Sequence, residues 1–160
     1  MTIAFGPHTI RHSQVFFSSA LSYGLVNLKP IARGHVLVIP KRNVPRFTAL
    51  TPAEVSDLFL SAQTIGRVVE TQFQGQALTV AMQDGPAAGQ TVPHVHIHVI
   101  PRRFGDWTNN DDVYAELDQT KVDNEERKPR SEEEMAAEAD FLRAFFPPLA
   151  AKDGQVSLTT

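Results

Sequence analysis

The chain reads as an α+β domain built on an antiparallel sheet of about five strands with two main helices. Three observations lead there. Short β-branched and aromatic runs are broken by turn residues over 2–40, and two helix-period stretches each open on a capping signal. The third is a strictly alternating run, His94-Val95-His96-Ile97-His98-Val99-Ile100-Pro101. The 160 residues, 42% hydrophobic and 21% charged, suit one domain with a buried core. A formal net charge of −3 gives no basic field for nucleic acid, and no apolar run reaches membrane-spanning length. The absence of Cys excludes disulfides and thiolate metal sites and suits a reducing compartment. With no charged-then-apolar leader pattern, the expected address is cytoplasmic, with the nucleus also open.

Taken in order, Ile3–Phe5, Val15–Ser18, Ser22–Leu28 and His35–Pro40 are predicted strands, the last two joined as a hairpin across 29–34. Asn27 and His35 are polar residues in aliphatic runs, positions that suit either a functional role or a local backbone hydrogen bond. Residues 51–73 are predicted helical. Thr51 caps the stretch, Pro52 takes its first position and Glu54 completes a capping box. Val55, Leu58, Phe59, Ala62, Ile65, Val69 and Phe73 form one apolar face, and Gly75 is placed to end the helix. Gln76–Gln83 reads as another strand, and the polar loop from Asp84 to Thr91 runs from it into the histidines. Residues 105–130 read as a mobile polar loop in which Tyr114 stands out as an aromatic. Ser131 and Glu134 open a second helix to about Phe146, stopped by Pro147-Pro148. The domain is therefore expected to span 1–146, with 147–160 as a polar C-terminal tail.

In an extended run, His94, His96 and His98 share one face at spacings of roughly 6.6–6.8 Å, while Val95, Ile97 and Val99 point to the other. Two such imidazoles could converge on zinc, but the third starts roughly 13 Å from the first, so all three cannot easily meet one ion. Asp84 and Asp106 flank the strands rather than face the histidines, and no metal site is expected. Nucleophilic catalysis fits better. A neutral imidazole can attack a phosphoryl centre and form a covalent intermediate, provided that one ring nitrogen is held by an acceptor so that the other presents its lone pair. His96, flanked on both sides, is the natural nucleophile. The glycines of 84–91 allow close backbone approach, and Gln90 and Thr91 supply donors for anionic oxygens.

His94 to Ile100 resembles the signature of the histidine triad superfamily of nucleotidyl hydrolases and transferases. Phe5-Gly6, Leu25-Val26-Asn27, Gly34-His35-Val36-Leu37-Val38, Met82 to Pro86, Ala88 to Val92 and Ser131 to Ala139 resemble its fragile histidine triad branch, in order over about residues 2–146. That resemblance implies a homodimer whose two sheets join into one. It also implies a bis(5'-adenosyl)-triphosphatase-like hydrolase that cleaves dinucleoside polyphosphates such as diadenosine triphosphate to AMP and ADP through a histidine-AMP intermediate. His96 is then the nucleophile, His98 a donor to a phosphate oxygen, and His94 a support for the nucleophile's ring or backbone. Gln83 becomes a donor to the bridging or leaving oxygen, and His35 supports the triad from behind. Asn27 is expected to bind ribose hydroxyls, Phe5, His8, Ile10, Leu25 and Leu37 to enclose the base, and Gly89, Gln90, Thr91 and Val92 to line the phosphates. Tyr114 matches a regulatory phosphorylation site of the branch. No covalent cofactor is implied; a divalent cation, Mg or Mn, is expected only through the substrate's polyphosphate. The rival expectations are a nucleoside phosphoramidase, a nucleotidyl transferase, and a nucleotide-binding signalling module whose bound form is the output.

Overall fold

A computed structural model describes residues 2–118 and 127–149. The expected tail from 150 onward, and the stretch 119–126 of the expected polar loop, lie outside the described residues. Seven strands and three helices are described: β1 (Thr2–Phe5), β2 (His8–Arg11), β3 (Val15–Ser18), β4 (Ser22–Val26), β5 (Val36–Pro40), α1 (Pro52–Gln72), β6 (Ala77–Ala81), β7 (Ile97–Arg102), α2 (Asp112–Leu117) and α3 (Glu132–Arg143). Five strands form one antiparallel sheet in the order β3-β4-β5-β7-β6, and β1 and β2 form a separate hairpin.

β5 is buried at every position, and the alternation along it sorts the two sides of the sheet. Val36 and Val38 face α1 and α3, packing with Phe16, Val26, Ile97 and Val99 against Leu58, Ile65 and Val69 of α1 and Met135, Ala139 and Leu142 of α3. Leu37 and Ile39 face the other way, where Phe5, Val15 and Leu25 join them under the β1–β2 hairpin. Further along that same side, Ile100 packs against Val113 and Leu117 of α2. His98, two residues before Ile100, lies on this face between the two covers.

The expected hairpin across 29–34 is present as β4–β5, with Val26 opposite Val36. Both long helices carry the expected capping boxes: Thr51 with Glu54, and Ser131 with Glu134. Other features differ from expectation. The helix at 52–72 ends with Gln74, not Gly75, in the left-handed region (φ 57°); the Gly75 N–H closes the last turn on the Glu70 carbonyl (2.7 Å), and a Cβ at Gly75 would stand 3.2 Å from Pro101. The hairpin strand His8–Arg11 has no apolar alternation of its own and exists through pairing with β1. The stretch expected to be a mobile loop contains α2, pinned by buried Val113 and Leu117, and Trp107 stacks on the Arg102 guanidinium 4.6 Å from its centroid.

The histidine run is not one continuous strand. Pairing with β5 begins at Ile97, opposite Val38, and His94 and His96 precede it. The cause is local. The His94 side chain takes the Pro40 carbonyl, at 2.8 Å, which a continuing ladder would otherwise use, and the Val95 N–H turns to Val44 (2.7 Å). The alternation survives nonetheless, because Val95, Ile97 and Val99 all enter the core on the helix side.

His35 follows a turn braced on the end of α1. Gly34 adopts φ +78°, and a Cβ there would meet the Phe73 ring at 2.3 Å. Gly34→Ala therefore combines a strained backbone with a clash against a ring, and it should destabilise the fold by at least about 2 kcal/mol. Chemical denaturation checks this; an unchanged midpoint would refute the account of the turn.

Candidate active site

Four histidines meet on the sheet face between the hairpin and α2, and each is almost wholly buried. Burial disfavours the charged ring, so each titrates below an ordinary histidine. For His35 burial, reinforced by the Arg127 and Arg130 guanidinium charges and by His96, pushes the value down to about 3. For His98 the burial effect is added to by His35 and His96. For His94 and His96, burial prevails over the carbonyls of Pro40 and His94 that favour the charged form.

A neutral imidazole carries one proton, and here backbone partners decide where it resides. At His94, Nδ1 accepts from the Gly6 N–H (3.1 Å), so the proton is on Nε2 and goes to the Pro40 carbonyl. At His96, Nδ1–H donates to the His94 carbonyl (2.8 Å), which leaves Nε2 with a lone pair. At His35, Nδ1 accepts from the Ile31 N–H (3.1 Å), so Nε2–H donates to His98 Nδ1 (2.9 Å). His98 must then carry its own proton on Nε2, and this is a buried side-chain polar atom with no hydrogen-bond partner among the described residues. The His96 and His98 rings are 5.0 Å apart, edge to face. The arrangement therefore sets an unprotonated nitrogen beside an unsatisfied N–H.

Both rings line a cavity of about 420 Å³. Phe5, Ile10, Leu25 and Leu37 make its apolar wall, with His8 at the β1–β2 hairpin, and Asn27, Thr91 and Val92 also border it. Phe5 contacts both the His94 and His96 rings, at 5.6 and 5.3 Å between centroids. Asn27 is held from several sides. Its side-chain oxygen accepts from the Lys29 N–H (3.0 Å), its carbonyl accepts from Arg130, and its amide nitrogen lies 3.5 and 3.2 Å from the two His35 ring nitrogens.

The loop 84–91 reaches the cavity only at its end. Arg46 grips Asp84 with two nitrogens, at 3.0 and 3.2 Å, and the Phe47 N–H donates to the same carboxylate. The Arg46 hydrogen bonds come first in holding that carboxyl below its usual range. Gln90 differs from the expected phosphate donor. Its amide nitrogen donates to the carbonyls of Pro45 and Val92, each at 2.9 Å, and its oxygen accepts from the Gly85 N–H, so both ends of the amide hold the loop closed. The Gly89 and Gln90 N–H groups are likewise bonded within the loop, to Pro86 and Gly85. Gln83 lies against this loop rather than on the cavity wall; a Cβ at Gly89 would stand 2.7 Å from its amide nitrogen. Tyr114 is 57% exposed on α2 and does not border the cavity. Thr9, Gln14, Leu28 and Lys29 also line it, and the sequence reading does not reach them. The one available signal is at Gln14, an amide placed directly before the apolar run Val15-Phe16-Phe17.

Asp106 is engaged by Arg102 and Asp84 by Arg46, so neither faces the triad. Among the described residues no group of three or more His, Asp or Glu side chains is arranged to hold a metal ion, and no helix is long and apolar enough to cross a membrane.

Comparison with known proteins agrees with this geometry. Residues 9–105 match the HIT domain family. The chain is 54% identical over 145 residues to a bis(5'-adenosyl)-triphosphatase of Dictyostelium discoideum, covering 91% of this chain and 93% of that protein. It is 51% identical over 150 residues to the bifunctional bis(5'-adenosyl)-triphosphatase/adenylylsulfatase FHIT of Arabidopsis thaliana, covering 89% and 83%. Among solved structures, the diadenosine triphosphate hydrolase of Plasmodium falciparum, in complex with cyclomarin A, superposes with a TM-score of 0.74 at 30% identity, over 90% of this chain and 83% of that one. The C. elegans NitFhit protein superposes with a TM-score of 0.76 at 41% identity, over 91% of this chain and 30% of that longer one. The chain belongs to the HIT domain family.

Proposed function

We propose that the protein hydrolyses dinucleoside polyphosphates such as diadenosine triphosphate to AMP and ADP. One observation carries this: the His96 Nε2 lone pair stands beside the unpartnered His98 N–H on the wall of a nucleotide-sized cavity. The names of the Dictyostelium and Arabidopsis relatives support the same chemistry. The lone pair attacks the α-phosphorus, a phosphorus–nitrogen bond forms, and the bond to the bridging oxygen breaks as ADP leaves. The His96 ring becomes cationic in that intermediate, and the His94 carbonyl on its Nδ1–H steadies the charge. The His98 N–H meets the charge on a non-bridging oxygen. Water then adds to phosphorus, the electron pair returns to Nε2, the water's proton goes to solvent, and AMP departs.

In this assignment Phe5, His8, Ile10, Leu25 and Leu37 enclose the base and Asn27 meets the ribose. Thr91 and Val92 border the phosphates, and Gln83 reaches the bridging oxygen from the loop. Gly89 leaves room for Gln83, and Gln90 acts by holding the loop's shape. A divalent cation, Mg or Mn, enters on the polyphosphate. The enzyme works as a homodimer joined along β6, one of the two edge strands of the sheet, where Val80 (48% exposed) adjoins Phe59 and Leu60 of α1 (46% and 61% exposed). Tyr114, exposed on α2, is open to modification.

His96→Asn should reduce hydrolysis of diadenosine triphosphate by more than about 10³-fold while nucleotide binding persists, and His98→Asn by about 10²–10³-fold. Product chromatography checks both, and turnover by the His96→Asn variant close to that of the unsubstituted protein would refute the nucleophile. Since the attacking ring must be neutral and burial lowers its pKa, kcat/KM should be full above the folded value and fall only below it, giving an acid limb with its midpoint under 6.5. A midpoint at or above 6.5 would contradict the burial argument. Leu60→Asp should convert the dimer to a monomer in sedimentation velocity; a monomeric unsubstituted protein would overturn the proposed interface.

A further inference from the structure

Among the described residues, Gln14 is a polar side chain on the cavity wall that the chemistry above does not use. Gln14 lines the same cavity as Phe5, Leu25 and Leu37, yet it is only 9% exposed and makes no hydrogen bond among the described residues. An amide that borders a ligand cavity and is bonded to no described side chain or backbone group is free to bond a ligand there, with a donor and an acceptor side by side. Its backbone is fixed from outside the cavity. Gln14 ends a single 3-10 turn, His12–Gln14, leading into β3. Arg143 of α3 donates to the carbonyls on both sides of it: His12 (3.0 Å), Ser13 (2.7 Å) and Val15 (2.8 Å). The next residue, Val15, is fully buried against the hairpin side of the core. The turn is thus held in place while its side chain is left uncommitted.

We infer that Gln14 is a specificity-determining residue that reads the edge of the bound base and selects a 6-aminopurine. This rests on the nucleotide-hydrolase reading of the same cavity and adds a recognition group to it. A carboxamide presents one acceptor and one donor side by side. Adenine offers the complement, its exocyclic amino N–H next to an unprotonated ring nitrogen, so Oε1 accepts from the amino group while Nε2 donates to the ring. Stacking on apolar walls tells bases apart poorly, because every base has a π face. A fixed amide supplies what the walls lack, and a base without the amino group leaves Oε1 buried and unpaired.

The test compares kcat/KM for diadenosine triphosphate with that for its analogue carrying unsubstituted purine, which lacks only the 6-amino group. The unsubstituted protein should prefer the adenine substrate by about tenfold. Gln14→Leu, close in shape but unable to hydrogen-bond, should bring that ratio to about one. Gln14→Glu, which keeps the acceptor and loses the donor, should retain part of it and serves if the Leu variant does not fold. A ratio unchanged in the Leu variant, or equal rates for both substrates in the unsubstituted protein, overturns the role of Gln14 while leaving the hydrolase reading standing. A protein that cleaves neither substrate overturns both.

Discussion

Burial keeps four imidazoles uncharged, and an uncharged imidazole must choose which nitrogen bears its proton. Everything the site can do depends on that choice. Had carboxylates oriented these rings, they would have favoured the charged form and removed the lone pair that attack requires. Main-chain groups orient without that penalty: the Gly6 and Ile31 N–H groups and the Pro40 and His94 carbonyls settle the tautomers while leaving the cluster neutral. The relay from Ile31 through His35 ends on a His98 N–H that has no hydrogen-bond partner among the described residues, so a backbone amide at the edge of a turn determines the polarity of an atom inside the cleft.

The sheet makes this possible by separating two tasks by residue parity. Along 95–99, odd positions fill the core under α1 and α3 and even positions face the cleft, so chemistry and packing do not compete for the same side chains. The loop that follows β6 is stiffened in the same spirit. Arg46 and Gln90 occupy the polar groups of 84–90 from within, and the segment arrives at Thr91 and Val92 with its course already determined.

Much of this was visible in the residue pattern. The two capping boxes, the α1 face, the β4–β5 hairpin and the shared face of the three histidines follow from spacing alone, because each is a local, periodic signal. His35 also announced itself, as a polar residue among aliphatics. What spacing cannot show is long-range pairing. β2 exists only because β1 lies beside it, and α2 only because Val113 and Leu117 find Ile100. The break before Ile97 arises because a side chain took a carbonyl from a strand far away in sequence. Gln90 looked like a phosphate donor since its amide is polar and near the triad; that its bonds are already made is a property of the folded loop. Gln14 left only a faint signal, an amide directly before an apolar run, and spacing does not show which side of the fold it enters.

The contribution of α3 reaches beyond its packing. Arg130, just before it, holds the Asn27 carbonyl, and Arg143, at its end, holds the turn at 12–15 from 128 residues downstream. The two ends of the cleft are thus fastened by residues that leave the ribosome after every strand of the sheet. A nascent chain can assemble that sheet while the nucleotide cleft is still unframed, so catalytic competence comes late in biosynthesis, and a product terminated before α3 is left without a finished binding surface.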